Sequence, residues 1–215
     1  MSARRRRLLL LRHGQTTWNA QSRFQGQLDI DLDETGRAQA ERAAELLARL
    51  RPDALVASDL RRARDTADAL ARRTGLPVTH DPRLRETFAG QWQGLTTAEI
   101  DERFGAERAG WSAGSDVPAG VDGERRSEVA ARMAQALTEH AAALPAGGLL
   151  VAVTHGGAAS SGLHALLGVP REAWPVLSGL GNCHWSLLHE HRGDRWLLEE
   201  HNAGSLPEEV VGDES

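Results

Sequence analysis

The sequence predicts an α/β fold, a three-layer α/β/α sandwich in which a mostly parallel sheet lies between two layers of helices. Short continuous apolar runs, typical of strands buried on both faces, occur at Leu8–Leu11, Ala54–Ala57 and Leu149–Val153. Segments with helical periodicity separate these runs. Strands that alternate with helices favour right-handed crossovers between parallel strands, and this arrangement gives the fold class.

The first half of the chain contains two predicted helices and a short third strand. The helix Thr35–Leu50 carries its apolar residues on one face, and Pro52 stops it. The helix Asp59–Thr74 ends at Gly75, a residue that commonly closes helices. Pro77–Thr79 is predicted to be the third strand.

The second half of the chain begins with a helix and ends with a hairpin. Three helices are predicted: Thr96–Phe104, Glu124–Leu144 and Ala158–Leu167. The segment Gly110–Gly123 is rich in Gly, Ser, Pro and Asp, which predicts a surface loop or lid, and Trp111 in it is a candidate substrate contact. The last two strands form a hairpin: His184–His191 and Arg195–Glu200 around the turn Arg192-Gly193-Asp194.

Length and composition indicate one ordinary globular domain. The chain has 215 residues, 40% hydrophobic and 26% charged, and we expect a domain over residues 1–204 with an acidic, flexible tail over 205–215. No apolar run reaches the roughly 20 residues of a membrane helix. The net charge of −5 does not favour binding to nucleic acid. The apolar run Leu8–Leu11 after Arg4–Arg7 is shorter than the apolar core of a secretion signal, which has roughly 7–15 residues. We therefore expect a cytoplasmic protein.

Two residue counts exclude whole classes of chemistry. All 25 basic residues are arginine, which excludes lysine imines and phosphate loops that depend on a lysine. The single cysteine, Cys183, excludes an intrachain disulfide and a cysteine-rich zinc site. His189 and His191 share one strand face, but a solvated hairpin explains them better than a metal site. We therefore expect no metal and no cofactor.

Polar residues follow the predicted strands, where ligands bind in parallel sheets. Arg12 and His13 follow the first strand, Arg62 lies beyond the second, Glu86 beyond the third, and His155 follows Leu149–Val153. Arginine forks suit phosphate oxygens, and a neutral imidazole can attack phosphorus. A carboxylic acid can protonate the leaving oxygen. Together these groups predict phosphoryl transfer from a small phosphorylated substrate through a phosphohistidine.

Five motifs resemble, in order, those of the histidine phosphatase superfamily, which includes the phosphoglycerate mutases. They are LRHGQTTWN, SDLRRARDTA, LRETFAGQWQG, VTHGG and GNCHWSLL. The resemblance implies a phosphoglycerate mutase-like fold, with His13 as the phosphorylated nucleophile and Glu86 as the proton donor. It implies a phosphate pocket of Arg12, Arg62 and His155. It also implies substrate contacts from the loop and helix residues Thr16, Asn19, Gln25, Gly26 and Gly156.

Longer stretches, among them FQGQLDIDLDETGRAQA and WPVLSGLGNCHW, are similar to the actinobacterial glucosyl-3-phosphoglycerate phosphatases. This similarity implies a homodimer and that substrate. Two alternatives stay open. A phosphoglycerate mutase would carry a longer insertion than the interval Thr87–Thr154 provides. An inactive module that binds a phosphorylated ligand would have lost His13, an arginine or Glu86, and all of these are present.

Overall fold

The computed structural model describes residues 5–191 and 195–204 and contains six strands and six α-helices there. The strands are β1 (Arg7–Arg12), β2 (Ala54–Ala57), β3 (Val78–His80), β4 (Leu149–Thr154), β5 (Trp185–His191) and β6 (Arg195–Ala203). The helices are α1 (Thr17–Ala20), α2 (Glu34–Ala48), α3 (Arg61–Thr74), α4 (Thr97–Ser112), α5 (Arg126–Ala142) and α6 (Gly156–Leu167). The predicted tail and the hairpin turn lie outside the described residues.

All six strands form one mixed sheet with the order β3-β2-β4-β1-β5-β6. The neighbours β3, β2, β4 and β1 pair in parallel, whereas β5 pairs antiparallel with both β1 and β6. The prediction of a mostly parallel sheet is confirmed. The antiparallel part is the pair of strands predicted as the final hairpin.

Helices cover both faces of this sheet, which confirms the three-layer sandwich. Leu9 and Leu11 of β1 pack in one cluster with α2 and α3, while Leu8 and Leu10 pack in a second cluster with α5 and α6. Successive side chains of a strand point to opposite faces, so a strand covered on both sides is apolar at every position. This is why a continuous leucine run marks the centre of the sheet.

The register of the sheet brings three strand ends to the same level. Arg12 of β1 pairs with Thr154 of β4, and Ala57 of β2 pairs with Val153 of β4. The chain leaves each strand at this edge. The residues that follow, among them His13 and His155, are therefore neighbours in space although they are far apart in sequence.

A smaller apolar cluster lies apart from the two faces of the sheet. It consists of Ala89, Trp92, Ile100, Trp111 and Ala119. The helix α4 runs on to Ser112 through a single non-helical residue, Phe104, where the prediction had ended it. The first residues of the predicted loop are therefore helical. Trp111 is only 7% exposed, and it packs edge-on against Trp92, so its main contacts are with the protein itself.

The helix α3 begins two residues later than predicted, because the side chain at its predicted start bonds to another part of the chain. Asp59 does not cap α3, because its carboxylate accepts two hydrogen bonds from the Arg85 guanidinium at 2.7 and 2.5 Å. The helix begins at Arg61 instead, after the extended residue Leu60. The four-residue α1 was not predicted, since it is too short for periodicity to show.

Among the described residues, no helix is long and apolar enough to cross a membrane.

Candidate active site

His13 is the first residue after β1, and it is 3% exposed. Its Nδ1 lies 2.7 Å from the carbonyl oxygen of Gly14. A carbonyl only accepts hydrogen bonds, so Nδ1 carries the proton and the lone pair is on Nε2. This tautomer leaves the Nε2 lone pair of His13 free to act as a nucleophile.

The backbone of His13 is fixed from two sides. Its N–H donates to the Thr154 carbonyl at 3.0 Å, and its own carbonyl accepts from Asn182 Nδ2 at 3.1 Å. Arg12 is 2% exposed, and its Nη1 donates to the Leu180 carbonyl at 2.6 Å. Asn182 was not predicted as a site residue, although the motif that contains it was noted. Asn182 holds the main chain at His13.

Arg62 comes from the first turn of α3 and is 1% exposed. Its guanidinium donates to the carbonyls of Gly26 and Leu28 at 2.8 and 2.7 Å, and its Nε donates to His155 Nδ1 at 3.1 Å. Because Nδ1 of His155 accepts, its Nε2 carries the proton and donates to Ser58 Oγ at 2.9 Å. Ser58 was not predicted as a site residue; it accepts the hydrogen bond of the tautomer that Arg62 fixes.

Both site histidines are neutral in this environment. Burial lowers the pKa of His13 well below 6.5, and the charges of Arg62 and Arg12 lower it further. Burial also lowers the pKa of His155 well below 6.5, with Arg62 as the next cause. The two rings are 5.1 Å apart. Burial lowers the pKa of Arg62 itself to about 10, so it keeps its charge at neutral pH.

Glu86 places its carboxyl group at the N-terminus of α6. Its oxygens accept hydrogen bonds from the backbone N–H groups of Gly157 at 3.0 Å, Ala158 at 2.9 Å and Thr87 at 2.7 Å. A Cβ on Gly157 would lie 2.8 Å from the Glu86 carboxylate, which explains a glycine there. N–H groups at the start of a helix commonly bind phosphate. Those of Gly157 and Ala158 instead hold Glu86.

The predicted substrate contacts differ in how they are engaged. Thr16 and Asn19 are buried and bond to each other as the cap of α1, with the Thr16 hydroxyl 3.1 Å from Asn19 Oδ1. The Gly26 carbonyl accepts a hydrogen bond from Arg62, and Gly26 has a positive φ of 53°. Gln25 is 8% exposed, and its Oε1 has no hydrogen-bond partner among the described residues. A Cβ on Gly156 would lie 3.4 Å from the Arg12 guanidinium carbon.

The arrangement joins a neutral imidazole, two buried guanidinium groups, a second imidazole and a carboxyl group around one edge of the sheet. Groups of these types are suited to binding a phosphoryl group and accepting it. Within the described ranges, no group of three His, Cys, Asp or Glu residues could hold a metal ion.

Residues 8–204 match the model of the histidine phosphatase superfamily (branch 1), and the chain belongs to this superfamily. Glucosyl-3-phosphoglycerate phosphatase of Mycobacterium tuberculosis (strain CDC 1551 / Oshkosh) is 45% identical over 217 residues, which cover 94% of this chain and 96% of that protein. The chain is a phosphoric monoester hydrolase, as the motifs predicted.

Two further comparisons describe the range of its relatives. The solved structure of mycobacterial glucosyl-3-phosphoglycerate phosphatase with VO3 has a TM-score of 0.87 and 46% identity, covering 94% of this chain and 100% of that one. A probable phosphoglycerate mutase of Erwinia tasmaniensis is 37% identical over 192 residues, 87% of this chain and 86% of that protein.

The lowered pKa values of His13 and His155 predict how stability depends on pH. Below 6.5 the unfolded chain takes up protons at both histidines, whereas the folded chain does not. The free energy of unfolding therefore decreases as the pH falls from 6.5, by about 1.4 kcal/mol per pH unit for each histidine. Urea unfolding between pH 7 and 5 measures this slope. In His13→Asn the slope is expected to be shallower by about 1.4 kcal/mol per pH unit; equal slopes would contradict the prediction.

Proposed function

We propose that this protein hydrolyses phosphate monoesters in two steps through a phosphorylated His13. In the first step, Nε2 of His13 forms a bond to phosphorus as the bond to the ester oxygen breaks. Glu86 gives its proton to that oxygen, which leaves as an alcohol. In the second step, water attacks phosphorus, the N–P bond breaks, and the Glu86 carboxylate takes the proton of the water.

The observation that carries this proposal is the tautomer of His13. A ring whose Nδ1 donates to the Gly14 carbonyl, and whose pKa is lowered by burial, presents a free lone pair at Nε2. The charges of Arg12 and Arg62 reach this ring, and guanidinium groups are suited to phosphate oxygens. The His155 ring lies 5.1 Å from the His13 ring. We assign Arg12, Arg62 and His155 to phosphate binding and to stabilisation of the charge that develops during transfer.

We propose glucosyl-3-phosphoglycerate as the substrate, because 45% identity extends over nearly the whole length of the phosphatase of that name. The similarity to a probable phosphoglycerate mutase supports one alternative, transfer of the phosphoryl group back to a phosphoglycerate. By analogy with those relatives, Thr16, Asn19, Gln25, Gly26 and Gly156 are proposed to line the substrate site. We also propose a cytoplasmic homodimer, which the resemblance to dimeric phosphatases supports.

A substrate panel separates the phosphatase from the mutase. We expect glucosyl-3-phosphoglycerate to have the highest kcat/KM among phosphorylated sugars, glycerates, serine and nucleotides, measured by release of inorganic phosphate. Isomerisation of 3-phosphoglycerate in the presence of 2,3-bisphosphoglycerate is expected to be negligible. Rapid isomerisation without net phosphate release would contradict the phosphatase and favour the mutase.

Trapping the intermediate tests the role of His13. Brief incubation with ³²P-labelled substrate in EDTA is expected to label the protein with a phosphate that is stable in base and released in acid, as expected of an N–P bond. His13→Ala is expected to abolish the label. His80→Ala, which changes an exposed histidine on β3, serves as the matched control and is expected to retain it. Label that persists in His13→Ala would assign the nucleophile to another residue.

A further inference from the structure

Arg132 lies in the middle of α5, yet its guanidinium contacts the segment that carries Glu86. Nη1 donates to the carbonyls of Arg83 and Arg85, both at 2.7 Å, and Nη2 donates to the Glu86 carbonyl at 3.0 Å. Nε and Nη2 also donate to the Glu124 carboxylate at 2.8 and 2.9 Å. A guanidinium has five N–H donors, and these contacts use all of them.

Glu124 holds the main chain on the C-terminal side of Glu86. Its Oε2 accepts from the Phe88 N–H at 2.8 Å, and its own N–H donates to the Phe88 carbonyl at 2.8 Å. The side chains of Arg132 and Glu124 are only 17% and 23% exposed, so water competes weakly for their contacts. The pair therefore holds the main chain both before and after Glu86.

The main chain around Glu86 has no regular structure of its own. One 3-10 turn ends at Leu84, and the next begins at Gly90. The Glu86 carbonyl also accepts from Gln27 Nε2 at 3.0 Å, a second side-chain donor on the same oxygen. Side chains, rather than a helix or a strand, thus determine where the Glu86 backbone lies.

We propose that Arg132, oriented by Glu124, is a positioning residue that fixes the backbone of Glu86 so that its carboxyl group reaches the leaving oxygen. The inference rests on the proposed function, in which Glu86 is the proton donor. A misplacement of about 1 Å can reduce a rate about 10²-fold, so such a clamp matters for proton transfer. Lysine cannot replace it, because an ammonium has three donors at one point instead of five in a planar fork.

The test compares two esters that differ in their need for a proton donor. p-Nitrophenolate leaves without a proton, whereas the alcohol of the best alkyl ester from the substrate panel requires one. We measure kcat and KM on both esters for Arg132→Lys, Glu86→Gln and the double variant. Arg72→Lys, an exposed arginine paired with Glu41, serves as the matched control and is expected to match the wild type.

Arg132→Lys is expected to reduce kcat on the alkyl ester about 10- to 100-fold and kcat on p-nitrophenyl phosphate less than about 3-fold, with KM little changed. Glu86→Gln is expected to show the same selectivity for the alkyl ester, with a larger loss of kcat. In the double variant, the loss from Arg132→Lys is expected to disappear, because the group that it positions is absent.

Two outcomes would overturn the proposal, and they can be distinguished. If Glu86→Gln loses equal activity on both esters, Glu86 is not the proton donor, and the proposed positioning role of Arg132 is also wrong. If Glu86→Gln is selective but Arg132→Lys is not, or if their effects add, Glu86 keeps its role and Arg132 serves stability alone. Should Arg132→Lys fail to fold, Glu124→Gln replaces it with the same expected pattern, since it removes an acceptor from the guanidinium.

Discussion

The buried charge of Arg62 is the constraint on which the site depends. Its hydrogen bonds go to two carbonyl oxygens and one ring nitrogen, none of which carries a charge. Burial of a cation is costly; the charges of Glu86 and Asp29 offset part of that cost, and a phosphate dianion would offset more of it. The same charge helps to keep His13 and His155 neutral. One guanidinium therefore supplies positive charge for an anion, helps to keep His13 neutral and fixes the loop at Gly26.

The fold supplies this constraint with two kinds of support. The parallel strands β1 and β4 end in register, so His13 and His155 start from rigid positions. Glu86, by contrast, lies on irregular chain and is held by hydrogen bonds from α5 and from the first turn of α6. His13 is thus positioned by the sheet, and Glu86 by side chains and helix N–H groups. We infer that substitutions far from this edge of the sheet displace Glu86 more readily than His13.

The sequence predicted the parts of the molecule that local patterns determine. Continuous apolar runs located the buried strands, since a strand covered on both faces has no polar position. The motifs also named His13, Arg62, Glu86 and His155, which the structure brings to one region. Ser58 and Arg132 were not predicted, because a hydroxyl that accepts from an imidazole and an arginine that binds carbonyls leave no periodic signal. Similarly, the start of α3 depended on a distant ion pair at Asp59.

Calorimetric titration with inorganic phosphate tests the central role of Arg62 most directly. Loss of a buried charged partner costs about 2–5 kcal/mol, so Arg62→Met is expected to bind phosphate at least about 30-fold more weakly than the wild type. Arg64→Met changes an exposed arginine two residues further along α3 and is expected to bind phosphate as the wild type does. Equal affinity of the wild type and a folded Arg62→Met would contradict the account.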